Sequence, residues 1–387
     1  MASQQHHPNR DAATAIPSSH NAEQALSALR VLSLHSAAEC QPWLSQWEVL
    51  WQQCANGNPY FHPHILLPAW QTLGDNGVAL HLVFSEQTLI ALFPTQTASR
   101  FRGLPARWHR AWGHLHCFSD EPLILLGHET PALDALLQHG QRTNVHGTSW
   151  LRLPADSPVA ATFSNASSCD TRQVQRAALS PHVADYIPID QHLSKKKRKE
   201  YARLWRRFEE LGTLTFDAHR CEPNDNAIQG FLAIEESGWK GKQGTSLLSN
   251  PAEQAFSERM FANAANDGLL YLYQLTLNDT PVASLTALRS GEHLYLFKIG
   301  FDETYAHFSP GVLLMLEATR LWQTQEFTLI DSCAQPGHPM IDHLWYQRRS
   351  ILRIHTDSGR GNGYGYGKLL LVFSRLISRW QMRKEQR

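Results

Sequence analysis

The chain has 387 residues, of which 42% are apolar and 18% charged, and its formal net charge is zero. That composition suits a folded protein with room for two domains and excludes a disordered chain. Zero net charge speaks against nucleic acid as a partner, and no apolar run reaches the roughly 20 residues that a membrane span requires.

Residues 1–25 are polar and without period, so a mobile tail is expected there. They lack the apolar segment of a secretory signal. Trp43, Trp47, Leu50 and Trp51 fall at helical spacing, and that helix should end near Asn56-Gly57-Asn58-Pro59. The short apolar segment HILLPAWQTL follows. Residues 80–85 and 89–94, separated by Glu86-Gln87-Thr88, predict a hairpin. Strands are expected at 123–126 and 150–153, with PALDALLQHG helical between them. Residues 26–157 therefore form a first α/β unit.

Residues 158–190 lose periodicity and are rich in Ala and Ser, which predicts a linker. The second unit, 191–387, opens on SKKKRKEYARLWRRFEELG. Its lysines and arginines lie on one helical face and Tyr201, Leu204, Trp205, Phe208 and Leu211 on the other. Lys195, Lys196 and Lys197 make this a candidate dock for phosphate groups of a substrate. Helices near 228–237 and 251–265 precede strands at 269–277, 282–288 and 294–301, joined by turns at Asn278-Asp279-Thr280-Pro281 and Arg289-Ser290-Gly291. Ser309 suits a helix N-cap and Pro310 the first helical position, so the turn through Gly311 and Val312 offers free amides to an anion. A last strand is expected at 327–330.

Four groups carry candidate acid–base chemistry. Glu235 and Glu236 end a helix beside Trp239 and Lys240, with Gly238 and Gly241 supplying sharp turns; Trp239 and Lys240 are candidate substrate contacts. Asp331 closes a buried strand, and His338 stands four residues before Asp342, on one face if the segment is helical. His109, His114, His116 and Cys117 crowd the first unit without a familiar zinc spacing. The six cysteines contain no Cys-x-x-Cys pair, which suits free thiols in a reducing cytoplasm. No metal is expected. The run from Gly359 to Lys368 is Gly-rich but lacks the P-loop spacing, and reads as a loop ahead of a terminal helix.

SKKKRKEYARLWRRFEELG, FLAIEESGWKGKQGT, LYLFKIGFDETYAHFSPGVLLMLE and DSCAQPGHPMIDHLW, in this order, resemble the GNAT-like acyltransferases of the CelD type, related in fold to the Fem peptidoglycan transferases. The resemblance implies a mixed α/β fold, with tandem GNAT-like domains that are mostly antiparallel twisted sheets flanked by helices. It implies an N-acyltransferase using acetyl-coenzyme A, with Lys298, Ile299 and Gly300 along the pantetheine arm and Ser309, Pro310, Gly311 and Val312 at the pyrophosphate. Glu235, Glu236, Asp331 or His338 would then assist the amine. The implied acceptor is an amine of a small molecule or of a cellulose or other polysaccharide precursor. A Fem-like transferase using aminoacyl-tRNA and a non-catalytic accessory protein of glycan assembly are the alternatives.

Overall fold

The computed structural model describes residues 29–54, 56–74, 76–163, 169–359 and 365–385, with the side chains of Trp239 and of 377–385 excluded. The expected N-terminal tail lies outside the described residues. Strands β1 (Leu29–Leu34), β2 (Val78–Ser85), β3 (Thr88–Phe101), β4 (Leu104–Ala111), β5 (Leu123–Ile124) and β6 (Gly147–Pro154) build the first half of one sheet. Strands β8 (Leu214–Arg220), β9 (Leu270–Leu277), β10 (Thr280–Ser290), β11 (His293–Phe301) and β12 (Leu329–Asp331) build the second. Between them run β7 (Cys169–Leu179) and β13 (Arg348–Asp357), in the order β6-β13-β7-β12.

The halves repeat one plan. β2, β3 and β4 form an antiparallel meander, then helix α3 (Glu129–Arg142) leads to β6, parallel to β4 over three residue pairs. β9, β10 and β11 do the same, then helix α7 (Pro310–Trp322) leads to β12, parallel to β11 over three pairs. The strand following each parallel strand then crosses to the other half. β7, after β6, pairs with β12, and β13, after β12, pairs with β6. Helices α1 (Leu44–Gln53), α2 (Pro63–Leu73), α5 (Asn226–Ser237) and α6 (Pro251–Asn266) contribute to one apolar core shared by both halves. The fold is the expected mixed α/β arrangement around a large, mostly antiparallel sheet.

The segment expected as a linker contains β7, a central strand. Its outer part, CDTRQV, is exposed or half-buried while Ala177, Ala178 and Leu179 are buried, so no single period runs along it. β13 likewise joins the first half although it lies late in the chain. Helix α4 (Lys195–Glu209) is amphipathic as expected: Leu204 and Phe208 are buried, and Ser194 caps it by accepting from Lys197 N–H. Leu211 lies beyond the helix and is exposed. Ser309 departs from its expected role. It adopts a left-handed conformation (φ 55°), makes no side-chain cap, and follows a 3-10 turn at Glu303–Phe308. Its carbonyl instead takes Val312 and Leu313 N–H at 2.9 and 3.1 Å.

Candidate functional site

β11 and β12 are paired only from His293↔Leu329 to Tyr295↔Asp331, and then they part. Asp331 ends the pairing. Its Oδ1 accepts from Cys333 N–H at 2.9 Å, and Cys333 is left-handed at φ 53°, so the chain turns out of the sheet. β11 runs on to Phe301 alone on that edge. Opposite the split, Thr286↔Lys298 is followed by Ala287↔Leu296, which makes Phe297 the extra residue of a β-bulge. Asp302 N–H donates to the Val282 carbonyl and the Lys298 carbonyl accepts from Thr286, so backbone groups at even positions face β10. Alternation then turns the amides and carbonyls of Ile299 and Phe301 into the fork.

The fork holds a cavity of about 390 Å³. One wall is the Phe297–Phe301 edge, the other is Ser332, Cys333, Ala334, His338 and Met340, and Gly311 closes one end. Side chains at 299 and 301 lie toward α7, where a Cβ on Gly311 would meet Phe301 at 3.5 Å and Ile299 at 3.8 Å. Gly300 lies toward α5: a Cβ there would approach the Glu235 backbone to 3.2 Å, so glycine lets that helix close on the strand.

Two ammonium groups, one of them paired with a carboxylate, line the cavity. Lys240 donates to the Ile299 carbonyl at 2.9 Å and to Glu235 Oε1 at 3.0 Å, pinning the fork edge of β11 to the end of α5. Lys298 is held below the ordinary lysine value by burial and by the Lys240 charge. Glu235 is buried, and its second oxygen accepts from Leu247 N–H at 2.8 Å. Behind Lys298 lies His116, which is buried, stacked on Phe256, and 3.5 Å from the Glu253 carboxylate. Burial and the Lys298 charge push this imidazole down to about 3.

The expected site residues separate into those the fold gathers and those it does not. Glu235, Lys240, Lys298, Ile299, Gly300, Gly311 and His338 line the cavity. Ser309, Pro310 and Val312 belong to the same turn but are not in the lining. Glu236 is exposed and takes the Ser246 hydroxyl. The Trp239 side chain lies outside the described residues. Lys195, Lys196 and Lys197 are exposed on α4 and do not line the cavity.

Asp331 is not free to act as a base. Its Oδ2 accepts from Arg176 at 2.6 Å and from Arg349 at 2.9 Å. Burial alone would raise its carboxyl, but the two guanidinium groups outweigh it and hold it below the usual range. His338 Nδ1 accepts from Met340 N–H at 3.3 Å, which leaves the neutral ring with its proton on Nε2. The bulge at Phe297 and the wall at Ser332, Cys333 and Met340 went unread in the sequence. Residues 360–364 of the Gly-rich run lie outside the described residues, and Gly367 packs against the His146 carbonyl in the first half.

The matching opening in the first half is shut. Beyond the β4–β6 pairing, the buried Asp120 carboxylate accepts from Leu151 and Arg152 N–H at 2.6 and 2.9 Å, and Arg152 reaches back to the Cys117 carbonyl. An acidic plug thus covers the β6 edge. Among the described residues no helix is long and apolar enough to cross a membrane.

Residues 195–337 match the family described as "Acetyltransferase (GNAT) domain". No curated protein matches the chain. Among solved structures it is similar to a conserved protein of unknown function from Bacteroides thetaiotaomicron VPI-5482, at 10% identity and TM-score 0.52, over 81% of this chain and 97% of that one. It is also similar to L-PGS from Bacillus licheniformis, at 12% identity and TM-score 0.50, over 87% of this chain and 96% of that one. FemX follows at 10% identity and TM-score 0.47, over 84% and 96%. At these identities the first two structures speak for a shared fold alone. The stretch that carries most of the open fork, residues 195–337, is the part of this longer mixed α/β chain that matches the GNAT domain family.

Proposed function

We propose that the chain transfers an acyl group, most simply acetyl, from acyl-coenzyme A to an amine, with the donor lying in the β11–β12 fork. The observation that carries this reading is the fork itself: a strand edge that no partner strand takes beyond Tyr295, beside a cavity lined by Lys240 and Lys298 and lying mostly within the matched stretch. The amide-bearing pantetheine arm can add to the β11 edge as a strand would. Gly311, at the start of α7, is the part of the turn nearest the donor's pyrophosphate. The amine nitrogen attacks the thioester carbonyl carbon; the C–N bond forms, the C–S bond breaks, and the amine's proton leaves to solvent. Amides of Ile299 and Phe301 are the donors for the oxyanion that develops.

His338 donates a hydrogen bond from Nε2–H to the departing thiolate, which takes its proton from solvent. Glu235 and Lys240 hold the edge of β11 in place. His338→Ala is expected to lower kcat about 10²-fold, with the affinity for coenzyme A kept. Unchanged turnover would take His338 out of the chemistry.

In this reading residues 26–157, with the opening plugged by Asp120, support a catalytic second unit that begins near 191. The donor places the reaction in the cytoplasm, and the CelD-type resemblance favours an amine on a polysaccharide precursor as acceptor. Calorimetric titration with acetyl-coenzyme A tests the donor; saturable binding is expected, and its absence would overturn the reading. The exposed lysines of α4 favour one second reading, an aminoacyl-tRNA donor. Lys195→Gln, Lys196→Gln and Lys197→Gln together should leave acetyl-coenzyme A affinity unchanged. If charged tRNA binds the unaltered chain and this variant loses that binding, with a flatter salt dependence, the second reading replaces the first.

A further inference from the structure

Where α2 packs against α6, His62, His64 and Asp267 bring three ligand atoms within 4.8 Å of one another. His62 and His64 stand at the start of α2 in the first half, and Asp267 follows the end of α6 in the second. We infer that His62, His64 and Asp267 form a site for a divalent transition metal, zinc by its donor set, that ties the two halves of the protein together.

The spacing of the ligand atoms is compatible with a tetrahedral centre. Bonds of about 2.0 Å at tetrahedral angles place neighbouring ligand atoms about 3.3 Å apart. Asp267 Oδ2 is 2.8 Å from His64 Nδ1 and 3.6 Å from His62 Nδ1, so the observed separations bracket that spacing. Two imidazoles and one carboxylate suit zinc better than calcium or magnesium, which prefer oxygen alone.

The surroundings are those of a held ligand. His64 Nε2 lies 3.5 Å from Glu48 Oε1, so the ring can bind a metal through Nδ1 while Nε2–H points at a carboxylate. That carboxylate–histidine–metal arrangement fixes the tautomer and the ring plane. Asn263 donates to the His64 carbonyl at 2.9 Å and holds the backbone of the histidine. His62 packs edge-on against Trp51 at 4.6 Å. His62 Nδ1 accepts from His64 N–H at 3.4 Å as the cap of α2, a long contact that a metal can displace. The His64 side chain is 40% exposed, which leaves the fourth position to water.

A second trio, His219, Cys221 and Asp225, is less suited. Asp225 already caps α5 through Oδ1 and binds His219 through Oδ2, and burial pushes the Cys221 thiol up to about 12.

The full chain, stripped with a chelator and desalted, is titrated with zinc chloride by calorimetry and with cobalt(II) by visible absorption. One equivalent of zinc, tetrahedral cobalt bands and a raised melting temperature are expected. His64→Ala and Asp267→Asn should each abolish stoichiometric binding, and Glu48→Gln, on the surface, should weaken it about 10–100-fold while the protein stays folded. His219→Ala should change nothing. The inference is overturned if the unaltered chain takes up no stoichiometric zinc. It is also overturned if His64→Ala and Asp267→Asn bind zinc as tightly as the unaltered chain, or if His219→Ala is the variant that loses it.

Discussion

Gly311→Glu is expected to weaken coenzyme A binding at least about 100-fold, or about 2.8 kcal/mol, with the melting temperature nearly unchanged. The fold tolerates a side chain there, since a Cβ meets only Phe301 at 3.5 Å and Ile299 at 3.8 Å, both ordinary contacts. Glutamate also suits the first turn of a helix, where the dipole favours negative charge. The cavity does not tolerate it. A carboxylate at 311 enters the fork and repels the donor's phosphates. Gly311→Ala should cost little, which separates charge from bulk. Gly365→Glu, in the Gly-rich run where a Cβ meets nothing within 4 Å, should leave binding intact. Calorimetry on the three variants decides the matter: unchanged binding in Gly311→Glu, or lost binding in Gly365→Glu, moves the donor out of the fork.

What could be read from sequence depended on how local each signal was. β9, β10 and β11 alternate clearly and are joined by residues that accept positive φ, namely Asn278 at 48°, Asp279 at 63° and Gly291 at 56°. Pro310 announced the start of α7. β7 and β13 were illegible because their burial is set by strands from the other half, and exchange of this kind leaves no mark on local periodicity. The site shows the same division. Lys298 and Gly300 came from the resemblance and Gly311 from the Ser-Pro-Gly helix start, and the lining of the cavity includes all three. That Lys240 would hold the Ile299 carbonyl, or that His116 would reach Lys298 from the first half, depends on tertiary meetings no spacing encodes.

Asp331→Ala is expected to destabilise the whole chain by about 3–5 kcal/mol, measured by urea unfolding. Arg176 on β7 and Arg349 on β13 stand directly opposite each other in the sheet, a like-charge pair that is unfavourable by itself. Both are buried, with side-chain exposures of 6% and 7%. The Asp331 carboxylate lies between them and neutralises the pair at the point where the exchanged strands meet. Asp156 compensates Arg349 in part, through contacts of 3.0–3.1 Å, but among the described residues Arg176 keeps only the Phe118 carbonyl. The alanine variant therefore strands a buried charge in the seam between the halves. Asp331→Asn keeps the volume and an acceptor for Cys333 N–H, so it should lose less. Because the folded carboxyl is held below its ordinary value, its contribution is complete above the unfolded pKa of about 3.9 and is lost as pH falls through the folded value. The stability gap between the unaltered chain and Asp331→Asn should accordingly be constant from neutral pH to about pH 5 and shrink below about pH 4. A gap that stays constant into acid would mean that this carboxylate is not what holds the seam.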